Sequence, residues 1–548
     1  MTGRSPTLPL VTAPTQPTPP AAQPPAGSAA PTLREGAADL AARRADALAM
    51  GGDAGVERQH ALGKLTVRER LDLLFDPGTF VEHGLFAGAV QTAQSTGRRA
   101  PADGVVTGVG AVDGRRVTVI AYDFTVLAGS IGVHGERKAV RARELAVRHG
   151  TPVVYLLDSA GARVTESVGA AFAGSGDLFR EISTMSGLVP QVGAVMGPCS
   201  AGTAYIPALC DFVPMVRGTS SMALAGVHLV RAATGEEVTE EEMGGSAVHT
   251  KTSGVADREA ADDAECLRMV RDYLSYLPSR YGDAAPLRPV TDPVDRRAEE
   301  LYDVVPTNPR QAYDMRRVVR AVVDEGSFFP MKPDWARSII TGFARFGGRP
   351  VGVVASQPMV LGGALGVDAA DKAARFVNLC DSFDVPLVFL QDVPGFLVGK
   401  AVEHAGIIRH GAKMLYNVSE ATVPKVTVVL RKAYGAGYFV MAGRQYECDH
   451  LVTWPSGEFS VMGPEGAVNI LFRKQLAAAA DDEARAALRA ELVAGVRAQI
   501  DPYLSASMGY VDDVIDPAAT RAAIVAGLEL SARKQVLRPA RKRGVSPV

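Results

Sequence analysis

Short runs of almost uninterrupted apolar residues recur along this chain. RVTVIAYD, PVVYLLD and PQVGAVM lie in its first half, and RPVGVVAS, PLVFLQD and PKVTVVL lie in its second half. Runs of this length predict strands that are buried on both faces of a sheet. Segments with a helical period, such as GERKAVRARELAVRHG and ADKAARFVNLCDSFD, lie between them. The alternation of strand and helix therefore predicts α/β domains with right-handed crossover connections.

The second half of the chain repeats the first half at a fixed offset of 234 residues. VPQVGAVMGPCSAGTAY begins at Val189, and VPKVTVVLRKAYGAGYF begins at Val423. Residues 107–161 align without a gap onto residues 341–395, with 21 identities in 55 positions. A period this long indicates two whole domains rather than a solenoid. We therefore predict two tandem α/β domains that arose by internal duplication.

Composition predicts where these domains begin and end. The N-terminal residues are rich in Pro, Ala and Thr, and such a segment cannot bury enough apolar surface to fold. The Pro-rich segment PLRPVTDPVDRR near residue 290 is typical of a linker. Near the C-terminus, the Ala-rich RKQLAAAADDEARAALRAELVAGVRAQ predicts one long helix. We predict four segments: a disordered tail (1–32), an N-terminal domain (33–290), a C-terminal domain (291–533) and a basic tail (534–548).

Composition and charge also exclude several functional classes. The 548 residues are 47% hydrophobic and 22% charged, with a formal net charge of -2, so we expect neither a nucleic-acid partner nor an anionic membrane partner. The five cysteines form no CxxC pair, which argues against a zinc ribbon and against a disulfide scaffold. No apolar run reaches the length of a membrane span, and the N-terminus lacks the apolar region of a signal peptide. We therefore expect a cytoplasmic protein.

A cluster of very small residues follows each repeated strand. Ser200-Ala201-Gly202 ends the first copy, and Gly435-Ala436-Gly437 ends the second. Small residues let a ligand approach the backbone, and free N–H groups at a helix start favour negative charge. The two clusters could form two oxyanion holes, which would suit a reaction with two enolate-like partners. Alternatively, they are tight strand-to-helix turns that are small only for packing.

Other catalytic motifs are mostly absent. The chain lacks a GxxxxGK[ST] phosphate loop, and GVGAVDG has one residue too many for a dinucleotide fingerprint. Cys199 lies beside the first cluster, but no base is evident, so we favour a packing role. His249 is interpreted as a structural residue. This pattern is consistent with catalysis by backbone dipoles rather than by side-chain nucleophiles or metals.

Several longer motifs resemble one known family. They include DSAGARVTE, VMGPCSAGTAYIPAL, GEEVTEEEMGGSAVHTKTSGVAD, DVPGFLVG, GIIRHGAKMLY and EATVPKVTVVLRKAYGAGY. From about Arg34 to about Arg533 the chain resembles the β (carboxyltransferase) subunit of biotin-dependent acyl-CoA carboxylases, the propionyl-CoA and methylcrotonyl-CoA carboxylase family. The resemblance implies two crotonase-like (ClpP/crotonase) domains and a homohexamer, a trimer of dimers. It also implies active sites that lie between the N-domain of one subunit and the C-domain of its dimer partner.

The resemblance implies a reaction and a site. The reaction is carboxyl transfer from carboxybiotin to the α- (or vinylogous γ-) carbon of an acyl-CoA, a ligase step of fatty acid metabolism. Ala201 and Gly202 would hold the thioester oxygen, and Ala436 and Gly437 would hold the biotin ureido oxygen, with no metal in this chain. The implied substrate-binding residues are Gly129, Ser130, Gly161, Ala162, Arg163, Tyr434, Gly435 and Phe439.

Departures from the family pattern concern the acyl substrate and the partner. The two clusters read SAG and GAG where propionyl-type members usually read AGG and GGA, and Phe439 replaces an acidic residue near the acyl pocket. The chain has no [AV]MKM biotinylation motif and no ATP-binding glycine loop, so a biotin carboxylase/biotin carboxyl carrier α subunit is expected as partner. Two alternatives stay open: a biotin-dependent decarboxylase or transcarboxylase subunit, and a weakly active structural paralogue in a mixed carboxylase complex.

Overall fold

A computed structural model describes residues 31–88, 100–167, 169–542 and 544–547 of the chain. It divides into two compact units, Met1–Leu48 and Ala49–Val548. In the first unit the described part is helix α1 (Leu33–Leu48) and the two residues before it. The predicted disordered tail lies outside the described residues except for Pro31 and Thr32.

In the second unit, eight strands form a first sheet that is antiparallel at one edge and parallel beyond it. The sheet order is β1-β2-β3-β4-β5-β6-β8, and β7 pairs with β5. The strands are β1 (Val81–His83), β2 (Val105–Val112), β3 (Arg115–Tyr122), β4 (Val153–Ser159), β5 (Gln191–Ser200), β6 (Pro214–Val216), β7 (Ser221–Ala223) and β8 (Arg258–Ala260).

Eight more strands form a second sheet with the same design. Its order is β16-β14-β13-β12-β11-β10-β9, and β15 pairs with β13. The strands are β9 (Phe329–Met331), β10 (Ile339–Phe346), β11 (Arg349–Ser356), β12 (Leu387–Val393), β13 (Lys425–Tyr434), β14 (His450–Thr453), β15 (Glu458–Ser460) and β16 (Asp513–Val514).

Helices connect the strands in both halves of the second unit. Those of the first half are α2 (Asp53–Ala61), α3 (Val67–Leu74), α4 (Val133–His149), α5 (Val164–Ser167), α6 (Asp177–Met185), α7 (Tyr205–Ala208), α8 (Val227–Thr234), α9 (Glu240–Gly244), α10 (Ser246–Lys251) and α11 (Asp263–Leu274). Those of the second half are α12 (Leu301–Val304), α13 (Met315–Val322), α14 (Val367–Ser382), α15 (Lys400–His404), α16 (Ile407–Glu420), α17 (Gly435–Val440), α18 (Pro464–Leu471), α19 (Arg473–Ala477), α20 (Asp482–Arg497), α21 (Pro502–Ser507) and α22 (Thr520–Leu530).

The two sheets confirm the α/β duplication. Hairpin β2–β3 pairs Val105 with Tyr122, and hairpin β10–β11 pairs Ile339 with Ser356, which are the same positions shifted by the offset of the repeat. Every residue of β4 and of β12 is buried, as the apolar runs predict. The two helix-period segments form α4 and α14.

The Ala-rich segment near the C-terminus does not form one long helix, so that prediction was wrong. It is divided between α19 and α20, and a short turn separates them. Asp481 causes the break because its side chain accepts the N–H of Ala484 and caps a new helix start. Among the described residues no helix is both long enough and apolar enough to cross a bilayer.

An aromatic cluster joins the two halves of the second unit. The Phe343 ring on β10 lies 5.6 Å from the Tyr276 ring, 5.9 Å from the Tyr273 ring and 5.2 Å from the Phe376 ring. The guanidinium of Arg345 lies 4.7 Å from the centre of the Tyr276 ring. These contacts belong to one hydrophobic core with members from both sheets, so the two halves share a core.

Replacing Phe343 with alanine tests this shared core. Phe343→Ala removes a fully buried ring and should cost about 3–5 kcal/mol of unfolding free energy. The urea midpoint of unfolding, followed by circular dichroism, should fall clearly. Phe172, whose side chain is 63% exposed, is the matched control, and Phe172→Ala should leave the midpoint almost unchanged. Equal shifts for the two variants would contradict a shared core at Phe343.

Candidate active site

The two repeated strands end in the same unusual backbone conformation. After β5, Ala201 has a φ of 56°, and after β13, Gly435 has a φ of 54°. Positive φ strains a residue with a side chain, so a left-handed bend at both places indicates a geometric requirement. Ala201 and Gly435 are therefore equivalent. At the repeat offset of 234 residues, Gly202 therefore corresponds to Ala436.

Each bend presents main-chain N–H groups at the start of a helical turn. A 3₁₀ turn (Ala201–Ala204) follows the first bend, and α17 follows the second. First-turn N–H groups have no acceptor inside their own helix. The N-cap residues Ser200 and Tyr434, both in the described part of the chain, make no side-chain bond to them. Gly202 and Ala436 therefore lie where backbone donors can reach an anionic oxygen.

A glycine loop passes close to the end of each repeated strand. In the first half, a Cβ on Gly161 would lie 3.1 Å from the Ser200 carbonyl oxygen, and its φ is 95°. The equivalent Gly395 has a φ of 125°. The Gly161 carbonyl accepts the N–H of Ile131 at 2.9 Å, and this contact ties the loop to the segment around Gly129. Gly161 therefore needs to be glycine for both conformation and space.

Several predicted substrate-binding residues lie in this region and are held by the protein itself. The N–H of Gly129 donates to Val126, and that of Ser130 donates to Leu127. Ala162 is exposed beside them. Because their N–H groups are already bonded, Gly129 and Ser130 shape the site through their backbone path rather than as main-chain donors.

Arg163 is the central side chain of this network. Its Nη1 lies 3.1 Å from Asp103 Oδ2 and 3.1 Å from Glu166 Oε1, and its Nη2 donates to the Ser130 carbonyl at 3.0 Å. Burial alone would lower the pKa of Arg163, but the hydrogen bonds and ion pairs with Asp103 and Glu166 outweigh it and raise the pKa. Arg163 therefore joins the loops beside the first bend and stays charged.

A cavity of about 550 Å³ opens over these loops. Helix α2 forms one wall, and the loop after β3 forms the other. Ala128, whose carbonyl accepts the N–H of Ala160 at 3.0 Å, connects the cavity to the glycine loop that passes the first bend. The lining is Gly51, Ala54, Gly55, Arg58, Gln59, Leu62, Phe124, Thr125, Leu127, Ala128, Ser130, Arg163 and Thr165.

A second cavity, of about 660 Å³, lies at the second bend and is much more aromatic. Gly435 itself lines it, and so does Phe439, which is 39% exposed. The Phe439 ring stacks on Tyr446 at 5.9 Å and does not face away into a core. Sequence reasoning missed most of these rings. The lining is Ala433, Gly435, Tyr438, Phe439, Gln445, Tyr446, Phe459, Ser460, Val461, Ser505 and Tyr510.

Tyr434 lies directly before the second bend and is buried. Its hydroxyl hydrogen-bonds to a carboxylate oxygen of Glu458 on the neighbouring strand β15. Burial and this hydrogen bond raise the pKa of Tyr434, so the hydroxyl stays protonated. The pair holds β15 against β13, where the Val461 carbonyl would lie 2.9 Å from a Cβ on Gly435.

Cys199 and His249 have structural roles. The Cys199 thiol is fully buried and donates to the Thr203 carbonyl at 3.1 Å, and burial raises its pKa to about 12. The ring nitrogens of His249 contact Ser253 Oγ at 2.8 Å and the Met222 carbonyl at 2.6 Å. Among the described residues no group of three or more His, Cys, Asp or Glu side chains could hold a metal ion.

Sequence reasoning also missed two buried aspartates. Asp158 and Asp392 lie at the ends of β4 and β12, directly opposite the residues that precede the bends. Both are fully buried. The sequence contained a signal for them. Aspartate occupies both positions, 234 residues apart, in the motifs DSAG and DVPG.

Comparison with known proteins identifies the family. A carboxyl transferase domain model matches residues 58–546. The propionyl-CoA carboxylase carboxyltransferase subunit of Haloferax mediterranei is 45% identical, over 94% of this chain and 100% of its own length. The methylmalonyl-CoA decarboxylase subunit alpha of Veillonella parvula is 44% identical, over 94% of this chain and 100% of its own length.

A solved transcarboxylase 12S structure, a hexamer with methylmalonyl-coenzyme A and methylmalonic acid bound, superposes with a TM-score of 0.89. It shares 43% identity and covers 95% of this chain and 100% of its own. Fold and site together define a protein with two crotonase-like domains. The chain belongs to the carboxyl transferase family, as the sequence motifs predict, and is an enzyme of the acyl-CoA carboxylase carboxyltransferase type.

The first test of the site concerns the thiol beside it. Cys199→Ala should retain carboxyl transfer within a few-fold of the unmodified enzyme, because a buried thiol with a raised pKa supplies almost no thiolate at neutral pH. The measurement is the steady-state rate of carboxyl transfer near neutral pH. A loss of more than about 10³-fold, the scale on which an essential nucleophile acts, would contradict a backbone-based site.

Proposed function

We propose that this chain transfers a carboxyl group from carboxybiotin, carried by a partner subunit, to the α- (or vinylogous γ-) carbon of an acyl-CoA. The observation that carries the proposal is the repeated bend. Two equivalent strand ends turn through a left-handed residue and present first-turn N–H groups. The second bend lines one cavity, and the glycine loop that passes the first bend is hydrogen-bonded to the wall of another. Two substrates with one developing oxyanion each would use this arrangement.

The first bend has the chemistry that the acyl-CoA needs. A thioester α-proton is weakly acidic, so the enolate oxygen must be stabilised as the proton leaves. Main-chain donors at Ala201 and Gly202 would do this without reorganisation, and exclusion of water strengthens such contacts. In support, the transcarboxylase 12S structure holds methylmalonyl-coenzyme A.

The second bend would receive the ureido oxygen of biotin. When bound, carboxybiotin supplies the carboxyl group. Ala436 and Gly437 would direct their N–H groups at the ureido oxygen, and the aromatic walls of the second cavity would exclude water around it. Tyr434, Gly435 and Phe439 would line this side of the site, and the acyl group held at the first bend of the partner subunit would extend to Phe439.

The proposed assembly follows from the need for two bends in one site. We infer a homohexamer, a trimer of dimers, with each site between the first half of one subunit and the second half of its partner. The transcarboxylase 12S protein assembles as a hexamer, which supports this inference. The expected partner is a biotin carboxylase/biotin carboxyl carrier subunit. The domain limits 33–290 and 291–533 stay a prediction.

A second function uses the same site in the opposite direction. The chain is about as similar to the decarboxylase subunit of Veillonella parvula as to a propionyl-CoA carboxylase subunit. The partner subunit decides the direction of the reaction.

ATP-dependent bicarbonate fixation into an acyl-CoA, measured with a biotinylated partner, supports the carboxylase. Failure to fix bicarbonate with any biotinylated partner would favour the weakly active structural paralogue.

Two substitutions of Gly202 distinguish the effect of losing its N–H group from the effect of adding a side chain. Gly202→Pro removes the donor and should lower turnover by roughly 10²–10³, the effect of losing one oxyanion-hole donor. Gly202→Ala is the control, because its Cβ would meet only Phe179 Cζ, at an ordinary 3.5 Å. The measurement is the turnover number of carboxyl transfer, with sedimentation velocity to check assembly. Full activity in Gly202→Pro would rule out the backbone donor.

Phe439 provides a test of the acyl-CoA preference. Phe439→Asp places a charge in the aromatic cavity and should shift the preference toward shorter acyl groups, because an apolar chain loses its contact surface there. The measurement is kcat/KM for acetyl-, propionyl-, butyryl-, methylcrotonyl- and longer acyl-CoA esters, with Phe439→Leu as the apolar control. An unchanged profile would show that Phe439 does not contact the acyl group.

A further inference from the structure

We propose that Asp158 and Asp392 are positioning residues that aim the two bends, each by holding a bulge in the neighbouring strand. This inference rests on the proposed function, since it assigns these residues to the delivery of the N–H groups at Gly202 and Ala436. Neither carboxylate touches a substrate in the proposal.

The bulge occurs at the same place in both sheets. Between β4 and β5, Leu157 pairs with Val195 and Ser159 pairs with Cys199, so three residues of β5 lie opposite Asp158 alone. Between β12 and β13, Gln391 pairs with Val429 and Val393 pairs with Ala433. Both bulges end directly before a bend. Bulges re-aim a strand and are frequent next to active sites, so the direction of each bend depends on its bulge.

In the first half, three donors hold the carboxylate of Asp158. Lys64 Nζ lies 2.9 Å from Oδ1, while Arg70 Nη1 and Gln59 Nε2 each lie 2.9 Å from Oδ2. The facing bulge residue is Gly197, where a Cβ would lie only 1.9 Å from Asp158 Oδ1. The carboxylate therefore occupies the space that a side chain on the bulge would need.

In the second half, the bulge itself supplies the cation. Arg431, equivalent to Gly197 at the repeat offset, places Nε and Nη2 2.9 Å from Asp392 Oδ2. The N–H of Lys432 donates to Asp392 Oδ1 at 3.2 Å. The Tyr313 ring packs against the Arg431 guanidinium at 4.7 Å. A different set of side chains thus produces the same contact between a carboxylate and a bulge.

The carbonyls of the two bulges are also held by side chains. The Met196 carbonyl accepts Arg70 Nη2 at 3.2 Å, and the equivalent Leu430 carbonyl accepts Ser456 Oγ at 2.6 Å. Arg70 therefore connects Asp158 to the bulge directly. Buried backbone carbonyls need such hydrogen-bond partners. Because the equivalent carbonyl is bonded in both halves, the bulge is a retained feature of the fold rather than an irregularity of one strand.

The aspartates also hold the loops beside the bends. A Cβ on Gly129 would lie 2.3 Å from the Asp158 carbonyl oxygen, and one on Gly363 would lie 2.7 Å from the Asp392 carbonyl oxygen. Gln59, which binds Asp158, also lines the first cavity. One residue therefore fixes the strand end, the adjacent loop and a cavity wall relative to each other.

The test compares Asp392→Asn with a matched buried aspartate. Asp324 pairs with Arg521 at 2.6 Å and accepts the N–H groups of Gly347 and Gly348, far along the chain from both bends. The assay is carboxyl transfer from methylmalonyl-CoA to free biotin by the whole assembled enzyme. Asp392→Asn should lower kcat by roughly 10–100-fold with KM nearly unchanged, because a misaimed donor weakens transition-state contacts most. Asp324→Asn should lower the urea midpoint, because it breaks a buried ion pair, but it should leave kcat within about 3-fold.

A milder pair of substitutions, at the arginine partners of the two aspartates, keeps the test decisive if an asparagine variant does not assemble. Arg431→Lys keeps the positive charge but loses the two-nitrogen contact, and it should lower kcat by about 10-fold. Arg521→Lys is its control and should not change kcat. In the first half, Gly197→Ala should lower kcat, and combining it with Asp158→Asn should add little, because both changes act through one contact.

The outcomes separate this inference from the proposed function. If the unmodified enzyme transfers carboxyl groups but kcat is unchanged in Asp392→Asn and Arg431→Lys, the positioning role is overturned alone. Equal kcat losses in Asp392→Asn and Asp324→Asn would also overturn it, because they would reflect general destabilisation. If the unmodified, assembled enzyme transfers no carboxyl group in either direction between biotin and any acyl-CoA of the panel above, the proposed function falls and the positioning role falls with it.

Discussion

The proposed function places one constraint on the structure: the residue that follows each bend must deliver a backbone N–H group in a fixed direction. A left-handed residue at Ala201 and at Gly435 produces that direction, although alanine adopts it only at a cost in strain. The strand that leads into each bend is bulged, and a fully buried aspartate faces the bulge. A buried carboxylate is tolerated only when it is paired, so the surrounding cations follow from the same constraint.

In the proposed function, the duplicated backbone forms two binding sites, one for each of two different ligands. The backbone of the bend, the bulge and the glycine loop is common to both halves, whereas the cavities differ. The first is bounded by α2 and contains the exposed Arg58, which suits an anionic ligand. The second is lined by Tyr438, Phe439 and Tyr446, which suits a flat or apolar ligand. Divergence of side chains around a retained backbone would account for the two different substrates of the proposed reaction.

Much of the fold could be predicted from the sequence, because apolar runs and the repeat offset are local signals. The bends at Ala201 and Gly435 lie within the two small-residue clusters, but small residues alone do not show which residue of a cluster has a positive φ. The bulges could not be predicted, because a bulge depends on pairing between strands. The rings around Phe439 come from distant segments and meet only in the folded chain. The helix break at Asp481 was overlooked because high alanine content outweighed a capping signal.

The most direct test is a crystal structure of the assembled enzyme with an acyl-CoA and biotin bound. The measured quantities are the distances from the Gly202 nitrogen to the thioester oxygen and from the Ala436 or Gly437 nitrogen to the ureido oxygen. The account predicts distances of about 2.7–3.1 Å, the range of an oxyanion hole. Oxygens that lie beyond hydrogen-bond reach of these nitrogens, and that bond instead to side chains, would contradict it.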